Sequence, residues 1–125
     1  MEEIERRLAR TLFAMAEGSG PEFAIVQDPE AAGYVQFAAD EGVLHMEAVS
    51  NEYLPVDEQL RPEQIESLRG RGFSEPEPNH ARDIPLEASE ASRRSQAAEV
   101  SQEAVGILTH VYGISRDALE VQTDD

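Results

Sequence analysis

The sequence predicts an α+β fold, with one antiparallel sheet carrying helices on a single face. Two observations give the helices: apolar residues recur at helical spacing over residues 2–18 and, in a longer pattern, over 87–112. A third gives the sheet. Between the helical stretches, residues 23–50 alternate apolar and polar in three short runs. With 125 residues, residues 1–125 are read as one domain, since domains commonly run about 100 to 150 residues.

The first helix places Ile4, Leu8, Leu12 and Met15 on one stripe, widened by Ala9, Phe13 and Ala16. Glu2 and Glu3 occupy the first turn, where carboxylates suit the helix dipole, and each has an arginine four residues on. Gly18-Ser19-Gly20-Pro21 ends it. The alternating runs 23–27, 34–39 and 43–49 then form a three-stranded meander. A two-residue turn at Glu41-Gly42 sets Asp40 opposite Val43, Phe37 opposite Met46 and Val35 opposite Ala48. A loop of five residues, 28–32, puts Phe23 and Ile25 on that same face. The predicted inner surface is therefore Phe23, Ile25, Val35, Phe37, Leu44, Met46 and Ala48. The outer surface is Ala24, Val26, Tyr34, Gln36, His45, Glu47 and Val49.

Beyond the meander, Pro62 opens a short helix over 62–69, with Ile65 and Leu68 facing inward and Gly70 or Gly72 beyond its end. Residues 73–85 hold Pro76, Pro78 and Pro85 among many acids, which predicts loop with at most one edge strand near 81–86. The long C-terminal helix carries Val100, Ala104, Ile107, Leu108 and Val111 on one face, with Gly113 past its end. Residues 114–121 supply a turn and a last short strand before the acidic Asp124-Asp125 end.

Composition narrows the function. The chain has 26 acidic and 10 basic residues, the latter all arginine, for a net charge of −16. That disfavours nucleic acid, whose phosphates need cationic side chains to displace counterions, and it opposes anionic membranes. Without cysteine there is no disulfide, thiolate nucleophile or thiolate zinc site. The start of the chain is acidic where a signal peptide would be basic, and no run approaches the roughly 20 apolar residues that span a bilayer, so a cytoplasmic protein is expected.

Catalytic motifs are equally scarce. His45, His80 and His110 come from distant segments, and His45 with Glu47 supplies two adjacent ligands where zinc needs three or four. The sequence has no nucleophile elbow, phosphate-binding loop, dinucleotide fingerprint or His-Glu-x-x-His. Neither cofactor nor metal is expected, and an enzyme is not. What remains is the outer sheet surface, where Tyr34, Val26 and Val49 form a small apolar strip beside Gln36 and Glu47. Such a strip suits a peptide groove or a homodimer contact.

Three stretches carry a family resemblance: Tyr34 to Ala38; Glu47-Ala48-Val49-Ser50-Asn51-Glu52-Tyr53-Leu54; and Leu68 to Phe73 together with Pro76 to Asn79. In these the chain resembles the TY-Chap domains, small actinobacterial domains grouped with YbjN and the type III secretion chaperones. Phe73 stands where that family commonly has tryptophan, and Arg71 where it has an apolar residue. The resemblance implies an α+β fold and a non-catalytic role in binding peptides or partner proteins. The expected function is thus a chaperone-like polypeptide-binding domain, with Tyr34, Gln36, His45, Glu47 and Val49 as candidate contacts for a segment lying on the outer sheet face or added to an edge strand. The alternative is an acidic adaptor that engages a basic partner through charge alone.

Overall fold

A computed structural model describes residues 1–124; Asp125 lies outside the described residues. Helix α1 (Glu3–Ala16) buries Leu8, Leu12 and Met15, the stripe its spacing dictates. Its start is tied twice through Glu5, whose buried carboxylate accepts the Glu2 N–H (3.1 Å) and pairs with Arg116 (2.6 Å). The second bond joins the two ends of the chain. Glu3 reaches Arg6 and Arg10 rather than Arg7.

Strands β1 (Phe23–Gln27), β2 (Tyr34–Asp40) and β3 (Val43–Ala48) make the meander. Glu41 and Gly42 both take positive φ, 48° and 80°, the geometry that lets a two-residue turn follow the right-handed twist of the strands. The β2–β3 register is the one the turn implies, with Asp40 opposite Val43, Phe37 opposite Met46 and Val35 opposite Ala48. Strand β4 (His80–Pro85) flanks β3, and β5 (Glu120–Thr123) returns to flank β1. The sheet is antiparallel throughout, in the order β4-β3-β2-β1-β5.

One face assignment is corrected. In β1 it is Ala24 and Val26 that lie opposite Phe37 and Val35 and are buried, while Ile25 and Phe23 face outward. The reason is loop length: residues 28–33 form the connection, six rather than five, and a one-residue slip exchanges every side chain between faces. Gly33 belongs to the loop because it lies against the Tyr112 ring, where an added Cβ would come within 3.1 Å. The loop is held by Asp28, whose side chain accepts the Glu30 N–H, and by Glu58, whose carboxylate accepts the Ala32 N–H.

Helix α2 (Pro62–Gly70) begins with proline, where no N–H is missed, and buries Leu68. Gly72, at φ 94°, reverses the chain so that Phe73 enters the core. Helix α3 (Glu90–His110) starts at its N-cap, Ser89, whose hydroxyl accepts the Ser92 N–H. It packs against α1, and both rest on β1 and β2, so Phe37, Met46, Leu8, Leu12, Ile107 and Leu108 share one core. The Ser101 hydroxyl, fully buried within α3, has no hydrogen-bond partner among the described residues.

These placements give two expectations for urea denaturation. Phe37→Ala should cost about 3–5 kcal/mol, whereas Phe23→Ala, on the outward side of β1, should cost about 1 kcal/mol or less; equal losses would require the other register. Ser101→Ala removes an unsatisfied buried hydroxyl and should leave stability unchanged or raise it by up to about 1 kcal/mol, and a clear loss would mean the hydroxyl is bonded in solution.

Candidate functional site

Because α1 and α3 cover one side of the sheet, the alternate residues of every strand are left on the other. Directly paired residues share a face, so the register lays out two rows. One runs Ala81, Glu47, Gln36, Ile25, Gln122 across all five strands; the second runs Asp83, His45, Ala38, Phe23 across four. All are half-buried or exposed, and Phe23 is 40% exposed. The surface is therefore an uncovered sheet face with apolar side chains toward β1 and hydrogen-bonding ones toward β3 and β4.

Three of the five residues singled out in the sequence meet here in one hydrogen-bonded group. Gln36 donates to the Glu47 carboxylate (3.4 Å), and Asn79 donates both to that carboxylate (3.4 Å) and to the Tyr34 hydroxyl (3.2 Å). His45 stands apart from them, bonded through Nδ1 to Asp83 at 2.7 Å. Among the described residues no three His, Asp or Glu side chains are arranged to hold a metal ion.

Val49 departs from simple alternation. It is 0% exposed and offers no surface to a partner. Strand β3 ends at Ala48, and although the Val49 N–H still donates to the Tyr34 carbonyl (3.2 Å), the strand period no longer dictates where this side chain points. The Val49 carbonyl instead accepts the Tyr112 hydroxyl at 2.5 Å. Burial, assisted by the nearby Tyr34 phenol, pushes the Tyr112 pKa well above the usual tyrosine range, so this donor stays protonated. Val26, the remaining member of the supposed apolar strip, is also buried.

Asn79 is the organising residue that periodicity did not reveal. Its side-chain oxygen accepts the buried Ser50 N–H (3.0 Å), while the Ser50 hydroxyl donates to the Pro78 carbonyl (2.6 Å). Loop 73–79 is thereby fastened to the end of β3, and the free amide hydrogens of Asn79 are aimed at the outer face. Asn51 makes a second clasp: its side chain accepts the Leu60 N–H (2.7 Å) and donates to the Leu60 carbonyl (3.0 Å), closing residues 51–60. The available signal was chemical, since asparagine in a proline-rich loop satisfies backbone groups.

A family model described as "T3SS (YopN, CesT) and YbjN peptide-binding chaperone 3", TY-Chap3, matches residues 2–123. The chain belongs to this family. No curated protein and no solved structure matches it. The stretches that carry the TY-Chap likeness have clear structural work within the fold: Ser50, Asn51 and Asn79 fasten the loops, and Leu54, Leu68 and Phe73 are core residues. A peptide-binding chaperone family implies a polypeptide partner for this TY-Chap3 domain.

Edge pairing is restricted on one side. The Ala81 carbonyl on the outer edge of β4 already accepts the Ser74 N–H (2.8 Å), and its N–H donates to the Ser74 hydroxyl (3.2 Å). Pro85 has no N–H, and its carbonyl accepts from Gln96. Only the Asp83 peptide groups lie between these two blocked positions, which leaves too short a ladder for an added strand. Among the described residues no helix is long and apolar enough to cross a membrane.

Asn79→Ala should leave the Ser50 N–H buried without an acceptor and destabilise the protein by about 1–3 kcal/mol in denaturant titrations. Amide exchange should rise in residues 73–79 and at Ser50; a variant as stable and as protected as the parent would remove Asn79 from its organising position.

Proposed function

We propose that residues 1–125 act as one non-catalytic cytoplasmic domain that holds an extended polypeptide segment across the uncovered sheet face. The observation that carries this reading is the one-sided sheet itself: a face with half-buried Ile25 and exposed Phe23 on one strand, and Gln36, Glu47, His45 and Tyr34 on the next two. Extended chains suit such a surface because their side chains alternate with the same period, so every second residue can meet the sheet. Ile25 and Phe23 supply apolar contact, and Gln36, Glu47 and His45 supply polar selection beside it. Tyr34 and Asn79 close one end of the row. The family description supports a polypeptide as the ligand, and the blocked β4 edge favours the face over strand addition there. The acidic-adaptor alternative draws no support from the family.

The surroundings of the face are acidic, with Asp40, Glu47 and Asp83 on the strands and Glu120 on β5. A bound segment is therefore neutral or basic, with at least one apolar side chain for Ile25 and Phe23. Packing on that apolar part also makes the association tolerant of salt, unlike one held by exposed charges alone.

Panning an extended-peptide library against the domain, followed by anisotropy titration of the best binder, tests this. Ile25→Glu should weaken binding at least about tenfold, the scale of a central contact, with the melting temperature nearly unchanged, and backbone amide shifts should concentrate in β1, β2 and β3. Peptides that bind Ile25→Glu as tightly as the parent, or that perturb amides only on α1 and α3, would refute the placement.

A further inference from the structure

The other side of the molecule carries a second surface of opposite character. Along the solvent side of the seam between α1 and α3, away from the sheet, a depression of about 210 Å³ is lined by Arg6, Ala9, Arg10, Phe13, Arg94 and Ala98. Its floor is apolar and shallow, because Ala9 and Ala98 are small where the helices meet. The Arg94 guanidinium lies 4.1 Å above the centre of the Phe13 ring, a cation–π contact that holds one arginine over the rim. In a chain of net charge −16, five of the 10 arginines (Arg6, Arg7, Arg10, Arg93 and Arg94) lie on α1 and the first turns of α3.

Three of those heads border the depression and share two carboxylates. Arg6 and Arg10 both lean on Glu3, at 4.0 and 3.8 Å, and Arg94 bonds Glu90 at 3.2 Å. The rim is thus locally positive. The acids of the distant sheet face do not cancel it, since exposed charges beyond about 10 Å are screened at 0.1 M salt.

We propose that this seam is a second docking site, and that its occupant is an acidic amphipathic helix from a partner protein. Three features select that chemistry. A helical seam offers no free backbone ladder, so the occupant must satisfy its own peptide groups, as a helix does and an extended strand does not. Small residues on the floor let a third helix approach to the usual interaxial distance of about 8–10 Å. The volume is below the roughly 300 Å³ at which small-molecule pockets begin, and so fits an anchoring side chain. The arginines then meet carboxylates placed at i and i+4 on both sides of the anchor, and in doing so they gain the acceptors that Glu3 and Glu90 supply only in part. The domain would engage two polypeptides of opposite charge on opposite sides: a neutral or basic segment on the sheet, and an acidic helix on the helix pair.

The probe is a fluorescein-labelled helical peptide of roughly 14 residues, about 21 Å long, with leucines at i and i+4 and glutamates on the flanks. Its counterpart with lysine for every glutamate is the control. The full chain should bind the acidic peptide and not the basic one, with affinity falling as salt rises. Arg10→Glu with Arg94→Glu, whose side chains are 69% and 64% exposed in the parent and so do not endanger folding, should weaken binding at least about tenfold and let the basic peptide bind instead. Phe13→Ala should weaken the acidic peptide at least about tenfold, and Ile25→Glu should leave its affinity unchanged. The proposal is overturned if the acidic peptide does not bind, or if it binds the doubly reversed variant equally well. It is overturned too if the reversal abolishes a self-association of the chain, or its binding to phosphatidylserine vesicles, while peptide binding is absent.

Discussion

The alignment of β2 with β3 is the constraint on which the rest of the molecule depends. With Glu41 and Gly42 both at positive φ, the turn allows one register, and that register stacks Val35 beside Ala48 and Phe37 beside Met46 under the helices. Because the side-chain period of a strand is two, the same choice forces Gln36, Ala38, His45 and Glu47 to the opposite side. Burying the core and presenting the polar row are one decision. The helices then have a single place to go, since the stripes of α1 and α3 are apolar on one side and the sheet offers one apolar face.

The loops that border the polar row are built by side chains that stand in for missing backbone partners. Ser50 lies two residues past the end of β3, and its buried N–H bonds no strand; Asn79 provides the acceptor from 29 residues away. Asn51 does the same for Leu60, and Tyr112 for the Val49 carbonyl. The cluster at the end of β3 is therefore a set of satisfied donors and acceptors with little freedom, and it hands Asn79's remaining hydrogens to Tyr34 and Glu47. A rigid end to an otherwise open face is what a binding surface requires if ordering it is not to cost affinity.

Charge follows the same two-sided plan. The sheet side and its loops hold most of the acids, while half of the arginines sit on α1 and the start of α3. Glu5 and Arg116 join the two regions through a pair in which the carboxylate is buried and doubly bonded. The excess of acids thus says little about any one surface. Arg82 reaches Glu103 on the helix side of β4 and Arg69 reaches Glu66 and Glu75, so several arginines serve the fold; those at the α1–α3 seam are mostly in solvent.

The sequence by itself determined the elements and most of their order. The extents of β1, the two-residue turn, the proline-led α2, the edge strand near 81–86 and the long α3 were all readable, because period, turn chemistry and capping are local properties of the chain. It also determined which side of β2 and β3 faces outward. Tertiary structure alone decided which way β1 faces, since Gly33 packs under Tyr112, a ring 79 positions later, and so lengthens the loop by one residue. It likewise buried Val49, recruited Asn79 to the polar row, tied His45 to Asp83, and brought Arg94 over Phe13. Each of those outcomes depends on a partner far away in sequence, and periodicity, which relates a residue only to its near neighbours, carries no information about such a partner.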